Sequence, residues 1–126
     1  MDTHQYQIFS DQQVAMTQQQ HIDAACSLSQ GFATFDLWVI VGEWTPASTD
    51  CARYLNGRGI GARFDGTFPG SPRVGSCAGL SGSASTFSSS YKTFLRQYWE
   101  AQVSSYDDQS VLLHAMSEHC PTGHLL

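Results

Sequence analysis

Leu37-Trp38-Val39-Ile40-Val41-Gly42-Glu43-Trp44 is the stretch that decides how this 126-residue chain is read. Its first five residues are apolar, three of them are β-branched, and the run is bounded by Asp36 and Gly42. A run that is apolar on both faces suits a parallel strand covered on both sides. Glu43 follows it directly. In α/β barrels and open α/β sheets, groups at the C-terminal ends of strands line the active site. A carboxylate there is a candidate nucleophile or base. It is equally a solvated charge at a strand end.

Upstream, Ser10-x-x-Gln13 and Thr17-x-x-Gln20 both fit a capping box. Ile22, Ala25, Cys26 and Leu28 give one apolar face to a helix over about residues 18 to 28, with Gly31 as its stop. His4 to Ile8 alternates polar and apolar groups as a short extended segment does. Downstream, Thr49-Asp50 is placed to cap a helix that stops at Asn56-Gly57. Residues 57 to 85 hold eight glycines and two prolines, a long loop of the kind that usually carries function or is disordered. Tyr91, Phe94, Leu95, Tyr98 and Ala101 then recur at helical spacing, behind capping serines at 88 to 90, to about Val103. The last twenty residues carry no clear pattern.

The order extended, helix, strand, helix, loop, helix is α/β grammar with parallel strands. Two strands do not make a stable parallel sheet. The strand at 37 to 41 therefore calls for neighbours on both edges that these residues do not supply.

Composition narrows the partners. Charged residues are 13% of the chain, about half the usual share, and the net charge is −5. That balance suits a neutral polymer and lacks the basic footprint that nucleic acid demands. No apolar run approaches a membrane span, and residues 1 to 7 have neither the basic nor the apolar region of a signal peptide. Cys26, Cys51, Cys77 and Cys120 form no C-x-x-C pair, which weighs against zinc-ribbon and thioredoxin readings. They suit structural disulfides or buried thiols alike. His114, His119, Cys120 and His124 match no metal-ligand spacing and read as a polar tail. The chain has no G-x-S-x-G, P-loop or H-E-x-x-H motif.

Besides Glu43, the candidates are few. His4 and Tyr6 are two apart, so an extended segment puts them on one face. If that segment lies beside the Glu43 strand, all three meet at one rim. The alternative is two partly exposed residues near a chain end. Phe9, Trp44 and Phe68 offer flat rings that would stack on pyranose faces, or that simply pack.

In order and spacing, several strings resemble fungal exo-β-1,3-glucanases of glycoside hydrolase family 5. Met1-Asp2-Thr3-His4-Gln5-Tyr6-Gln7-Ile8-Phe9 is similar to the end of their barrel strand six, and Val41-Gly42-Glu43-Trp44 to the nucleophile motif that ends strand seven. Thr49-Asp50-Cys51-Ala52-Arg53-Tyr54-Leu55-Asn56-Gly57, Gly61-Ala62-Arg63-Phe64-Asp65-Gly66, Gly75-Ser76-Cys77 and Arg96-Gln97-Tyr98-Trp99-Glu100-Ala101-Gln102 continue the likeness to about residue 104. The resemblance implies an α/β fold, part of a (β/α)8 TIM barrel, for residues 1 to 104, with a divergent and disordered tail over 105 to 126. It implies a retaining glucan exo-1,3-β-glucosidase without a cofactor, acting on β-1,3-glucan and secreted or wall-associated. Glu43 would be the nucleophile, Tyr6 its hydrogen-bond donor, and His4 part of the polar network. Phe9 and Trp44 would grip glucose, with Asn56 and Arg63 nearby. Cys51 would pair with Cys77, and Cys26 with a cysteine at the far C-terminus.

The chain also departs from that family. The acid/base glutamate, in an Asn-Glu pair on strand four, has no counterpart here. After Trp99 there is no Trp, where the family continues into a Trp-rich strand eight, so Cys120 is not expected to be the family's C-terminal cysteine. A (β/α)8 barrel typically needs about 250 residues. The chain is thus expected to be inactive alone. Two other readings stand beside this one: a β-glucan-binding fragment without catalysis, and a small disulfide-linked secreted interaction protein.

Overall fold

The computed structural model describes residues 1–32, 34–107 and 120. Its elements in chain order are β1 (Asp2–Gln5), α1 (Asp11–Val14), α2 (Gln18–Phe32), β2 (Ile40–Trp44), a 3-10 turn (Ala84–Thr86) and α3 (Ser89–Asp107). They fall into two compact units. The first comprises Met1–Gln5, Gln18–Pro46 and the segment from Phe94 onward; the second comprises Tyr6–Thr17 and Ala47–Thr93.

In the first unit β1 and β2 pair in parallel, with Asp2 opposite Ile40 and Thr3 opposite Val41. The register then slips, so that His4 faces Glu43 and Gln5 faces Trp44. Gly42 is the residue passed over. A Cβ there would run into the Asp2 carboxylate, which is why a glycine suits the irregularity. Beside the sheet, His21 and Ala25 of α2 and Phe94, Tyr98, Ala101 and Gln102 of α3 are buried. The rings of Phe94 and Tyr98 stack at 5.7 Å, and His21 lies 5.5 Å from Tyr98. A disulfide joins Cys26 to Cys120.

The second unit is mostly loop. Ser10 caps α1 by accepting from the Gln13 N–H, and Gln13 Oε1 reaches back to accept from the Phe9 N–H, a variant of the capping box. Asp11 Oδ1 accepts from the Ser71 hydroxyl at 2.6 Å, tying α1 to the loop. Ile8, Val14, Ala62 and Tyr91 are buried. The Cys51–Cys77 disulfide and a buried carboxylate, Asp50, hold the rest.

Several expectations need correction. The strand is Ile40–Trp44, not Leu37–Val41. A strand is defined by the ladder it makes, and β1 first meets this stretch at Ile40. Nor is the run buried on both faces: Leu37, Trp38 and Ile40 are exposed. Hydrophobicity marks a tendency to be covered, and no second strand lies beside β2 among the described residues. No helix forms between 49 and 57, because Asp50 points its carboxylate across the loop instead of capping one. Helix α2 continues through Gly31 to Phe32, since that glycine does not take a left-handed conformation. Helix α3 runs to Asp107, three residues into the expected tail. Cys120 is the partner of Cys26 and so takes the role denied to it above. The remainder of the tail, including His114, His119 and His124, lies outside the described residues.

Candidate active site

The pairing of β1 with β2 brings His4 and Glu43 together. They are registered partners on neighbouring strands. His4 Nδ1 lies 3.5 Å from Glu43 Oε2, and His4 Nε2 lies 3.4 Å from Asp2 Oδ2. Asp2 and His4 are two residues apart on β1, so their side chains share a face. One imidazole therefore stands between two carboxylates. These separations are long for hydrogen bonds, and all three side chains are about half exposed, so the pairings orient Glu43 more than they stabilise the fold. What the arrangement offers chemically is an accessible carboxylate at a strand end, held by a neighbouring ring. That suits a nucleophile whose lone pairs must stay available.

Trp44 follows Glu43 and, by the alternation of a strand, projects to the other face. Its ring lies 6.5 Å from Trp99 and edge-on to Tyr106 at 5.4 Å. Gln102 Nε2 donates to the Thr45 carbonyl at 3.0 Å just beyond. Trp44 is thereby engaged in packing β2 against α3, and the sugar-gripping role expected of it has this competitor. Burial pushes the Tyr106 hydroxyl up to about 12, against the opposing effect of its hydrogen bond from Gln102.

The other candidates fall in the second unit. Tyr6 and Phe9 pack edge to face at 5.5 Å, and Phe9 is half exposed. Asn56 and Arg63 serve Asp50. Asp50 Oδ2 accepts from the Arg63 N–H at 2.8 Å, from Asn56 Nδ2 at 2.9 Å and from Arg63 Nη1 at 3.3 Å, while Oδ1 accepts from the Phe64 N–H at 3.1 Å. Arg63 Nη1 also donates to Asn56 Oδ1, and the guanidinium lies 3.8 Å from the centre of the Phe68 ring. Burial alone would raise the Asp50 carboxyl. The four hydrogen bonds outweigh it and hold the group below its ordinary value. Asn56, Arg63 and Phe68 are thus parts of the loop's frame, where the sequence reading had them near or stacked on sugar. Sequence reasoning missed Asp50 as their hub. The only signal for it was an acidic residue ahead of a cluster of turn formers, which reads as a helix cap.

Among the described residues no group of three or more side chains gathers as a metal site, and no helix is long and apolar enough to cross a membrane.

No protein-family model matches the chain. Curated proteins do. It is 46% identical over 112 residues to the probable glucan 1,3-beta-glucosidase A of Aspergillus niger, a match covering 87% of this chain and 27% of that protein. It is 44% identical over 113 residues to the glucan 1,3-beta-glucosidase of Blumeria graminis, covering 87% and 26%. The glucan 1,3-beta-glucosidase of Kluyveromyces lactis is 43% identical over 111 residues, covering 85% and 26%. Over most of its own length, the chain is similar to about a quarter of the length of proteins named glucan 1,3-beta-glucosidase.

Proposed function

We propose that the chain is part of the catalytic barrel of a glucan exo-1,3-β-glucosidase of glycoside hydrolase family 5. Such an enzyme removes glucose from the non-reducing end of β-1,3-glucan with retention, in the turnover of the fungal cell wall. What carries the reading is the likeness of 40–46% over some 85% of the chain, with Glu43 presented beside His4 at a strand end. Residues 1 to 104 belong to the barrel in this reading. A retaining reaction needs two carboxyl groups roughly 5 Å apart. The Glu43 carboxylate attacks the anomeric carbon as the glycosidic bond breaks, and a second carboxylic acid protonates the leaving oxygen. That second group then takes a proton from the water that releases glucose and restores Glu43. The chain carries the nucleophile without the proton donor, so alone it does not hydrolyse glucan. His4 keeps Glu43 oriented. Two disulfides suit the extracellular or wall compartment.

A chimera tests this: residues 1 to 104 replace the matching region of the Aspergillus niger relative, and glucose release from laminarin is followed. The chimera is expected to hydrolyse with retention, and Glu43→Gln to lower kcat by roughly 10⁴-fold or more. An undiminished rate in the Glu43→Gln chimera would sink the assignment. Phe9, half exposed on the second unit, favours one alternative, glucan binding without catalysis. There, Phe9→Ala abolishes binding of laminarin by the chain and Glu43→Gln leaves it intact.

A further inference from the structure

The least protected part of the first unit is the approach to β2. Leu37 is 69% exposed, Trp38 92% and Ile40 65%, with Met1 and Phe35 each at 49%. Single exposed apolar residues are ordinary, whereas a contiguous set marks an interaction surface. This set is contiguous: Ile40 N–H donates to the Met1 carbonyl at 2.8 Å, and the Met1 amine is hydrogen-bonded to the Trp38 carbonyl. It flanks a two-stranded parallel sheet. Parallel sheets occur almost only with both faces covered, and a two-stranded one is marginal in water.

We propose that this patch, with the outer edge of β2, is the docking surface for another polypeptide segment. The segment adds a parallel strand and covers Leu37, Trp38 and Ile40 with apolar side chains. Its source is the three-quarters of the glucan 1,3-beta-glucosidases that lies outside their match to this chain. Two other occupants fit less well. A second copy related by a two-fold axis would add its β2 antiparallel, against the parallel sense of β1 and β2. It would also set Asp2, Asp36 and Glu43 against their own counterparts. An anionic membrane would find no Lys or Arg between residues 34 and 46. The inference rests on the likeness to those relatives and not on the chemistry of Glu43.

The test is co-expression of the full chain with the unmatched portion of the Aspergillus niger relative, read by co-purification, sedimentation and amide hydrogen exchange. A one-to-one complex is expected, with exchange at Val39, Ile40 and Val41 slowed about tenfold or more. Trp38→Ser, at a side chain the chain itself barely covers, is expected to leave the chain folded and to raise the Kd by about tenfold or more. Ile40→Ser is a second variant at the strand itself. Failure to co-purify, or a complex equally tight with both variants, overturns the proposal. So does a homodimer that Trp38→Ser dissolves, which would make a second copy the occupant. Hydrolysis plays no part in the scoring: a complex that fails to release glucose counts against the glucosidase reading and leaves the docking intact.

Discussion

The two units solve the problem of burial in opposite ways. The first has the regular elements, two paired strands and two long helices, yet leaves large apolar side chains in water at β2. The second has one short helix, one 3-10 turn and the start of α3, yet its buried carboxylate receives four hydrogen bonds. Regular structure satisfies the backbone within an element. It does nothing for a strand's faces and outer edge, which need other elements. A loop wound about a charged hub carries its own partners. The lesson is that local irregularity and incomplete burial are separate properties, and here they sit in different places.

The sharpest way to break this comparison is at the hub. Asp50→Ala leaves the mostly buried Arg63 and two backbone N–H groups without their acceptor. It is expected to destabilise the second unit by about 3 kcal/mol or more, read as faster exchange at Arg63 and Phe64 and as new proteolytic sites between 57 and 75. An unchanged exchange pattern would mean the loop does not depend on Asp50. Next comes Cys51→Ser with Cys77→Ser. Opening a bridge between residues 26 apart should lower stability by about 2–4 kcal/mol in the same unit. Exchange in α2 should stay as it was, because Cys26–Cys120 is intact.

Acid provides a gentler version of the first test. The Asp50 carboxyl sits below its ordinary value in the folded chain, so the unfolded state binds its proton more readily. The stability it contributes is full above the ordinary carboxylate pKa of about 4. It is lost as pH falls from there through the lowered folded value. A melting series from pH 6 to pH 2 should show that loss in wild type and a flatter response in Asp50→Asn. Parallel curves would remove Asp50 as the acid-sensitive group.

The smallest expected effect belongs to the first unit's interior. The Tyr98 hydroxyl is buried with no hydrogen-bond partner among the described residues, and burial, helped by Tyr106, pushes its ionisation upward. Tyr98→Phe removes an unsatisfied donor and keeps the ring stack on Phe94. Stability should stay level or rise by up to about 1 kcal/mol, measured by urea unfolding. A clear loss would reveal a partner for that hydroxyl.

Much of the helical structure was legible. Ser10 and Ser88 do cap, accepting from Gln13 and Tyr91, and the spacing of Tyr91, Phe94, Tyr98 and Ala101 marks the buried face of α3. The sites fared unevenly. His4 and Glu43 meet as an extended segment beside the Glu43 strand requires. Asn56 and Arg63 were legible as residues of interest, but their attachment to Asp50 was not, because that bond spans a loop whose path no periodicity encodes.

Sequence by itself determined the features that depend on neighbours within a turn or two: caps, helical faces, and a β-rich run ending in Glu43. Those rest on backbone geometry and short-range hydrogen bonds. Tertiary structure alone decided where β2 begins, since a ladder needs β1 some 38 residues away. It also decided that Asp50 braces a loop and that Cys26 takes Cys120 across 94 residues. Four cysteines allow three connectivities, and only the folded path brings particular pairs within bonding reach.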